Sequence, residues 1–147
     1  MITTWQQQAA TAGALAQKIR DDDARMASEH FRLTEFKCKC GCSKVYVVPQ
    51  LLEIVEAVRK AVKLPLTISS GYRCVAHNDA MPGTAEQSKH CLGCAADIGI
   101  PSNLLNAAVM LEAAEIAVTA VHGGWHYYAA QRFIHVDCWP WPKDRRW

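Results

Sequence analysis

The chain lacks most of the features that would take it out of the class of ordinary small domains. No apolar run approaches the ~18–20 residues that a membrane-spanning helix needs, and residues 1–30 have neither the basic start nor the apolar centre of a secretory signal. Charge of one sign is missing too: 16 basic side chains face 14 acidic ones, for a net +2. Without a basic block, nothing favours nucleic acid as a partner. Glycine (8) and proline (6) are few, and no repeat or low-complexity tract is visible, so collagen-like and disordered chains are excluded. What is present is 147 residues, half of them hydrophobic, enough for one domain with its own core. Seven cysteines and six histidines stand out against that background.

Residues 1–30 read as a helical extension with a thin apolar stripe of Trp5, Ala9, Ala12, Ala16 and Ile19. Such a segment is either an arm packed on the domain or a partner-binding element. One of Asp21, Asp22 and Asp23 could cap a further helix over residues 24–30. The domain proper is expected over residues 31–147. Residues 45–48 form a short strand, and Pro49 sits at a natural first helical position. Leu51, Val55, Val58 and Val62 then fall at spacings of 4, 3 and 4, a core-facing stripe that Pro65 ends. Residues 66–70 read as a strand delivering residues 71–73 to a loop, residues 74–94 as loop, and residues 95–100 as a second strand. A helix is expected from Pro101 to about Thr119. Residues 121–128 and 132–139 pair antiparallel, and the tail from Trp139 wraps the surface. Helices and short strands without βαβ regularity predict an α+β fold: one small antiparallel sheet flanked by helices.

The chemistry concentrates in two segments, 88–97 and 133–137. His90 and Asp97 cannot share a helix face across Gly93, but a loop that turns there and enters a strand can aim both at one point. Alternation along residues 133–137 puts Phe133, His135 and Asp137 on one face, with Ile134 and Val136 on the other. Two imidazoles and a carboxylate form the protein ligand set of a catalytic zinc, which leaves a coordination position for water. Spacing alone leaves unrelated, separately packed side chains as the simpler reading. Asp137 is the best-placed carboxylate for general-base work, and His126 on the partner strand is the alternative base or an extra ligand. Asp137 could equally orient a ligand imidazole. Trp125, Tyr127, Tyr128, Trp139 and Trp141 could line a groove or simply pack the final hairpin. The cysteines comprise a C-x-C-x-C run (Cys38, Cys40, Cys42), a C-x-x-C pair (Cys91, Cys94), and Cys74 and Cys138. Disulfides or burial are favoured over a second, structural zinc, because neighbouring thiolates of C-x-C-x-C point to opposite sides of an extended chain. Cys38 with Cys74 is a candidate bridge, and an odd count leaves one thiol unpaired.

Four segments, in order, resemble the M15 family of zinc D-Ala-D-Ala peptidases in its short phage and bacterial peptidoglycan-hydrolase branch, which includes endolysin-like cell-wall enzymes. They are Phe36-Lys37-Cys38-Lys39-Cys40-Gly41-Cys42, Ser69-Ser70-Gly71-Tyr72-Arg73-Cys74 with His77-Asn78, the stretch from Ser88 to Asp97 matching S-x-H-x-x-G-x-A-x-D, and Phe133-Ile134-His135-Val136-Asp137. The resemblance implies the α+β fold shared with the hedgehog signalling domain and a zinc ion on His90, Asp97 and His135. It also implies hydrolysis of an amide bond in peptidoglycan stem peptides or cross-links, by a carboxypeptidase or an endopeptidase. It makes Arg73 the group that steadies the oxyanion, with a loop-bracing salt bridge as its bland alternative. Ser88 and Tyr72 become substrate-binding candidates beside His126, with loop capping the alternative for Ser88. One departure favours a rival reading, an inactive metal-binding module for cell-wall recognition or a phage structural component: many members carry a carboxylate three residues before the second histidine ligand, where this chain has Arg132. A hedgehog-type signalling role is disfavoured by the missing secretion signal.

Overall fold

Pro49 has no amide hydrogen to lose, and it opens the helix around which the core is built. In the computed structural model, which describes residues 4–140, that helix is α2 (Pro49–Val62). It is preceded by α1 (Trp5–Leu15), β1 (Gln17–Lys18) and β2 (Lys44–Val45). After it come β3 (Ile68–Ser70), α3 (Val75–Ala80), β4 (Ala95–Gly99), α4 (Ala108–Ala120), β5 (Gly124–Tyr128) and β6 (Phe133–Asp137). Short 3-10 turns cover Leu33–Phe36 and Lys89–Leu92.

Leu51, Ile54, Val55, Val58 and Val62 are all buried, so the stripe read from the sequence is the core face of α2. Lys63 ends the helix in the left-handed region at φ 62°, two residues before Pro65. α2 packs on α4 through Met110, Ala114 and Val118, and both lie under a four-stranded antiparallel sheet ordered β3-β4-β6-β5. Ala96, Ile98, Ile134 and Val136 point down into this core. Period-two alternation then sends Asp97, His135 and His126 to the opposite face. The sheet register sets them in one row: Asp97 pairs with His135, and His135 pairs with His126. The expected α+β architecture, a small antiparallel sheet flanked by helices, is the observed one.

Several local expectations are corrected. Residues 24–30 are not helical: Asp23 turns its carboxylate onto the backbone and side chain of Arg25, and Met26 bridges to Arg32. α1 stops at Leu15 because the chain becomes extended at Ala16 to pair β1 with β2. α4 begins at Ala108 and not at Pro101, after turns in which the Asn106 side chain accepts the Ala108 amide. The loop expected over 74–94 contains α3, six residues long and too short to show a period. The tail beyond Pro140, with Trp141, lies outside the described residues. Among the described residues, no helix is long and apolar enough to cross a membrane.

Candidate metal centre

The turn that brings His90 and Asp97 together is built from Ser88, the 3-10 turn and Gly93. Ser88 Oγ accepts the His90 amide at 3.3 Å and starts the turn. Gly93 ends it at φ 68°, where a Cβ would stand 2.5 Å from the Tyr46 ring and 2.6 Å from its carbonyl oxygen. Only glycine fits both the left-handed backbone and that approach. The chain then enters β4 and carries Asp97 to the same side as His90.

One atom each of His90, Asp97 and His135 lies within a sphere of mutual distances no greater than 4.8 Å. His90 Nε2 is 3.4 Å from Asp97 Oδ1, and His135 Nδ1 is 3.1 Å from the same oxygen. The far nitrogens are spoken for. His90 Nδ1 lies 2.8 Å from the Gly71 carbonyl, to which it donates, and His135 Nε2 lies 2.9 Å from Asp137 Oδ2. Each imidazole thus turns its remaining nitrogen toward Asp97, the arrangement that fixes ring tautomer and orientation in metal-ligating histidines. The donor set and its outer partners fit a zinc ion held by His90 Nε2, Asp97 and His135 Nδ1.

Electrostatics reinforce the geometry. Burial pushes the Asp97 carboxyl up, but hydrogen bonds with His135 and His90 outweigh it and hold its pKa well below the usual carboxylate range. Burial likewise pushes the His135 imidazolium down, yet the flanking carboxylates of Asp137 and Asp97 raise its pKa to about 9. Asp137 itself is fully buried. Its Oδ1 accepts the amides of Gly124 and Trp139, at 3.2 and 3.1 Å, and its Oδ2 faces His135. Both oxygens are therefore occupied in holding the strand end and one imidazole.

The centre opens into a cleft of about 330 Å³ whose wall includes Arg73, Gln87, Ser88, Tyr128 and Phe133. Arg73 is buried, with Nη1 donating to Asn78 Oδ1 at 2.9 Å and Nη2 to Ser70 Oγ at 3.3 Å. Both acceptors are uncharged, so they aim the guanidinium without neutralising it. Asn78 is anchored by donating to the Ala85 carbonyl; sequence reasoning gave it no role, although its place beside His77 after the SGYR segment was the available signal. Ser88 caps the turn and lines the cleft, so both readings of it stand. Tyr72 does not line the cleft. Chain alternation past Gly71 turns it under α1, among Ala12 and Cys38, and burial pushes its hydroxyl up to about 12.

His126 stands next to His135 in register on the exposed edge strand, its ring edge-on to Tyr128 at 4.6 Å. Of the aromatic group, Tyr128 lines the cleft and stacks on Phe133, whose ring the alternation had put on the site face. Trp125 and Tyr127 pack on the core, and Trp139 lies beside Cys91 and Leu92 with the Lys89 ammonium over its ring. Arg132 lies in the β5–β6 turn at φ 55°, its guanidinium reaching the Pro101 carbonyl and not the cleft.

Among solved structures, the chain is similar to the L-Ala D-Glu endopeptidase ChiX of Serratia marcescens, with 18% identity, a TM-score of 0.47, and coverage of 62% of this chain and 79% of that one. No curated protein matches the sequence. The sequence model of the Peptidase M15 family matches residues 29–137, which take in every residue of the centre, and the chain belongs to that family.

Proposed function

We propose that this M15 peptidase hydrolyses an amide bond in peptidoglycan stem peptides or cross-links, using a zinc ion held by His90, Asp97 and His135. The observation that carries the reading is the convergence of those three side chains at the base of the cleft that Arg73 enters. A zinc ion there would supply Lewis acidity, able to acidify a water and to polarise an amide carbonyl.

The chain's own residues do the rest. Arg73, a fixed cationic fork with uncharged supports, binds the oxygen on which negative charge develops, or a carboxylate of the stem peptide. Tyr128 and Phe133 give the substrate an apolar wall, and Ser88, buried in the cleft wall, offers its hydroxyl proton. Asp137, with both oxygens engaged, is a positioning residue that keeps His135 Nδ1 turned to the ligand point. Proton transfer to the leaving amine is then left to His126, beside His135 in the same row on the edge strand though outside the residues that line the cleft.

Digestion of purified cell wall followed by mass spectrometry of the muropeptides tests this and names the bond, because the mass lost identifies the group released. Cleavage abolished by chelator and restored by zinc is the expected outcome. Arg132, standing where many members carry a carboxylate, favours a second reading, a binding module without activity. Stoichiometric zinc with no cleavage of any muropeptide would establish that reading in place of the enzyme.

A further inference from the structure

A second gathering of ligands lies apart from the cleft, at the opposite side of the segment that carries Arg73. The C-x-C-x-C run is not extended. After Phe36 the chain turns through residues 39–42, with Gly41 at φ 94° and Ser43 at φ 63°. The three thiols, which an extended chain would point apart, are curled to one side. Cys74, the residue that caps α3, meets them from the β3–α3 connection. One sulfur from each of Cys38, Cys40, Cys42 and Cys74 lies within 4.8 Å of the others.

We propose that Cys38, Cys40, Cys42 and Cys74 bind a structural zinc ion, distinct from the one at His90, Asp97 and His135. The distances carry it. Zinc–sulfur bonds of about 2.3 Å in tetrahedral array put neighbouring sulfurs about 3.8 Å apart. Here Cys38–Cys40 and Cys40–Cys74 are each 3.6 Å, and each of the seven cysteines is a free thiol. Donors also surround the sulfurs as they do around metal-bound thiolates. The Cys74 amide points at Cys38 Sγ and the His77 amide at Cys74 Sγ, both at 3.4 Å. His77 Nδ1 lies 3.4 Å from Cys38 Sγ and can donate to it. Four thiolates on one zinc leave two negative charges; Lys39 and Lys44 are the cations beside the cysteines in sequence, Lys37 being paired with Asp21. Zinc displaces the thiol protons to solvent on binding, so no oxidant is involved.

The site would act on catalysis only through position. It clamps the 38–42 turn to the segment Gly71-Tyr72-Arg73-Cys74. That segment already rests on Phe36, whose carbonyl accepts the Tyr72 amide at 2.8 Å and whose Cα would be 2.5 Å from a Cβ at Gly71. Holding Cys74 fixes the neighbouring Arg73 and the Gly71 carbonyl that orients His90.

The test is metal counting on the full chain, purified under reducing conditions, with cobalt replacing zinc as a spectroscopic probe. The wild type is expected to hold two equivalents of zinc. The double variant Cys40→Ser, Cys42→Ser is expected to keep one, and so is His90→Ala, His135→Ala. Cobalt in the histidine variant should give the intense thiolate-to-cobalt charge-transfer band and strong visible bands of a tetrahedral thiolate site. That variant lacks the catalytic ligands, so its spectrum reports the cysteines even if the cysteine variant fails to fold, and a failure of the cleft assignment leaves it readable. Absence of the charge-transfer band in the histidine variant would overturn the proposal. Peptide mapping without reductant that finds Cys38, Cys40, Cys42 and Cys74 paired as disulfides in freshly isolated protein would overturn it as well.

Discussion

At the level of single side chains, the two candidates for the proton-handling role differ in what they already hold. Asp137 is buried, with Oδ1 between two amides and Oδ2 on His135, whereas His126 is exposed beside the same imidazole. Asp137→Asn should therefore weaken zinc affinity by about 10–100-fold, the usual cost of losing a group that orients a ligand, with turnover largely restored at saturating zinc. His126→Gln should leave zinc affinity intact and lower kcat by about 10²–10⁴. Isothermal titration with zinc alongside muropeptide turnover separates the two; kcat lost in Asp137→Asn at full zinc occupancy would return the base to Asp137. The metal-free protein offers a second residue-scale test. The folded pKa of His135, about 9, lies above the unfolded value of about 6.5. Its stabilisation is thus complete below about pH 6.5 and is lost as pH rises through 9. Asp97 has the opposite sign: its depressed pKa stabilises above about pH 3.9 and that contribution fades on acidification below it. Chelator-treated protein should lose thermal midpoint between pH 6.5 and 9, and His135→Gln should flatten that slope.

At the level of elements, the turn from Ser88 to β4 decides whether ligands seven residues apart can meet. Gly93→Ala forces a Cβ to within 2.5 Å of Tyr46, against its backbone carbonyl as well, at a left-handed φ of 68°. Strain of this kind costs roughly 1–3 kcal/mol from the backbone alone. Chemical denaturation should show at least that loss, with zinc affinity falling in parallel because His90 moves; an unchanged midpoint would remove the turn from the account. This element was legible in the sequence because glycine, histidine and aspartate each constrain it. α2 was legible for a different reason, four apolar residues on one helical stripe between two prolines. α3 was not, since six residues cannot display a period. The start of α4 was misplaced because Pro101 and Ser102 resemble a helix entry, while the chain spends residues 101–107 in turns first. The C-x-C-x-C run misled by its spacing: alternation holds in an extended chain, and the left-handed residues Gly41 and Ser43 remove the extension. The row of Asp97, His135 and His126 depends on strand register. Alternation placed His135 and Asp137 on one face, but only the observed pairing sets His126 directly opposite His135.

At the level of the whole molecule, residues 4–30 are joined to the site by packing and not only by sequence. The family match begins at residue 29, but Ile19 and Phe31 belong to the same apolar core, and β1 pairs with β2. α1, opened by a reciprocal Thr4–Gln7 cap, lays Ala9 against Cys91 and Leu92 and Ala12 against Tyr72. Trp5 Nε1 donates to the Ser88 carbonyl at 3.0 Å, which ties the helix to the residue that starts the ligand turn. Deleting residues 1–30 therefore removes the burial of Ile19, worth about 1.5–3 kcal/mol, and uncovers the back of the turn carrying His90. The truncated chain should unfold at lower denaturant, and its zinc affinity should drop although every proposed ligand remains. Trp5→Ala, which leaves the rest of α1 in place, should lose affinity by a smaller factor in the same direction. Measuring zinc binding on both proteins discriminates a structural arm from an independent appendage: an appendage would leave affinity and midpoint at their full-length values, while an arm that braces the ligand turn lowers both together.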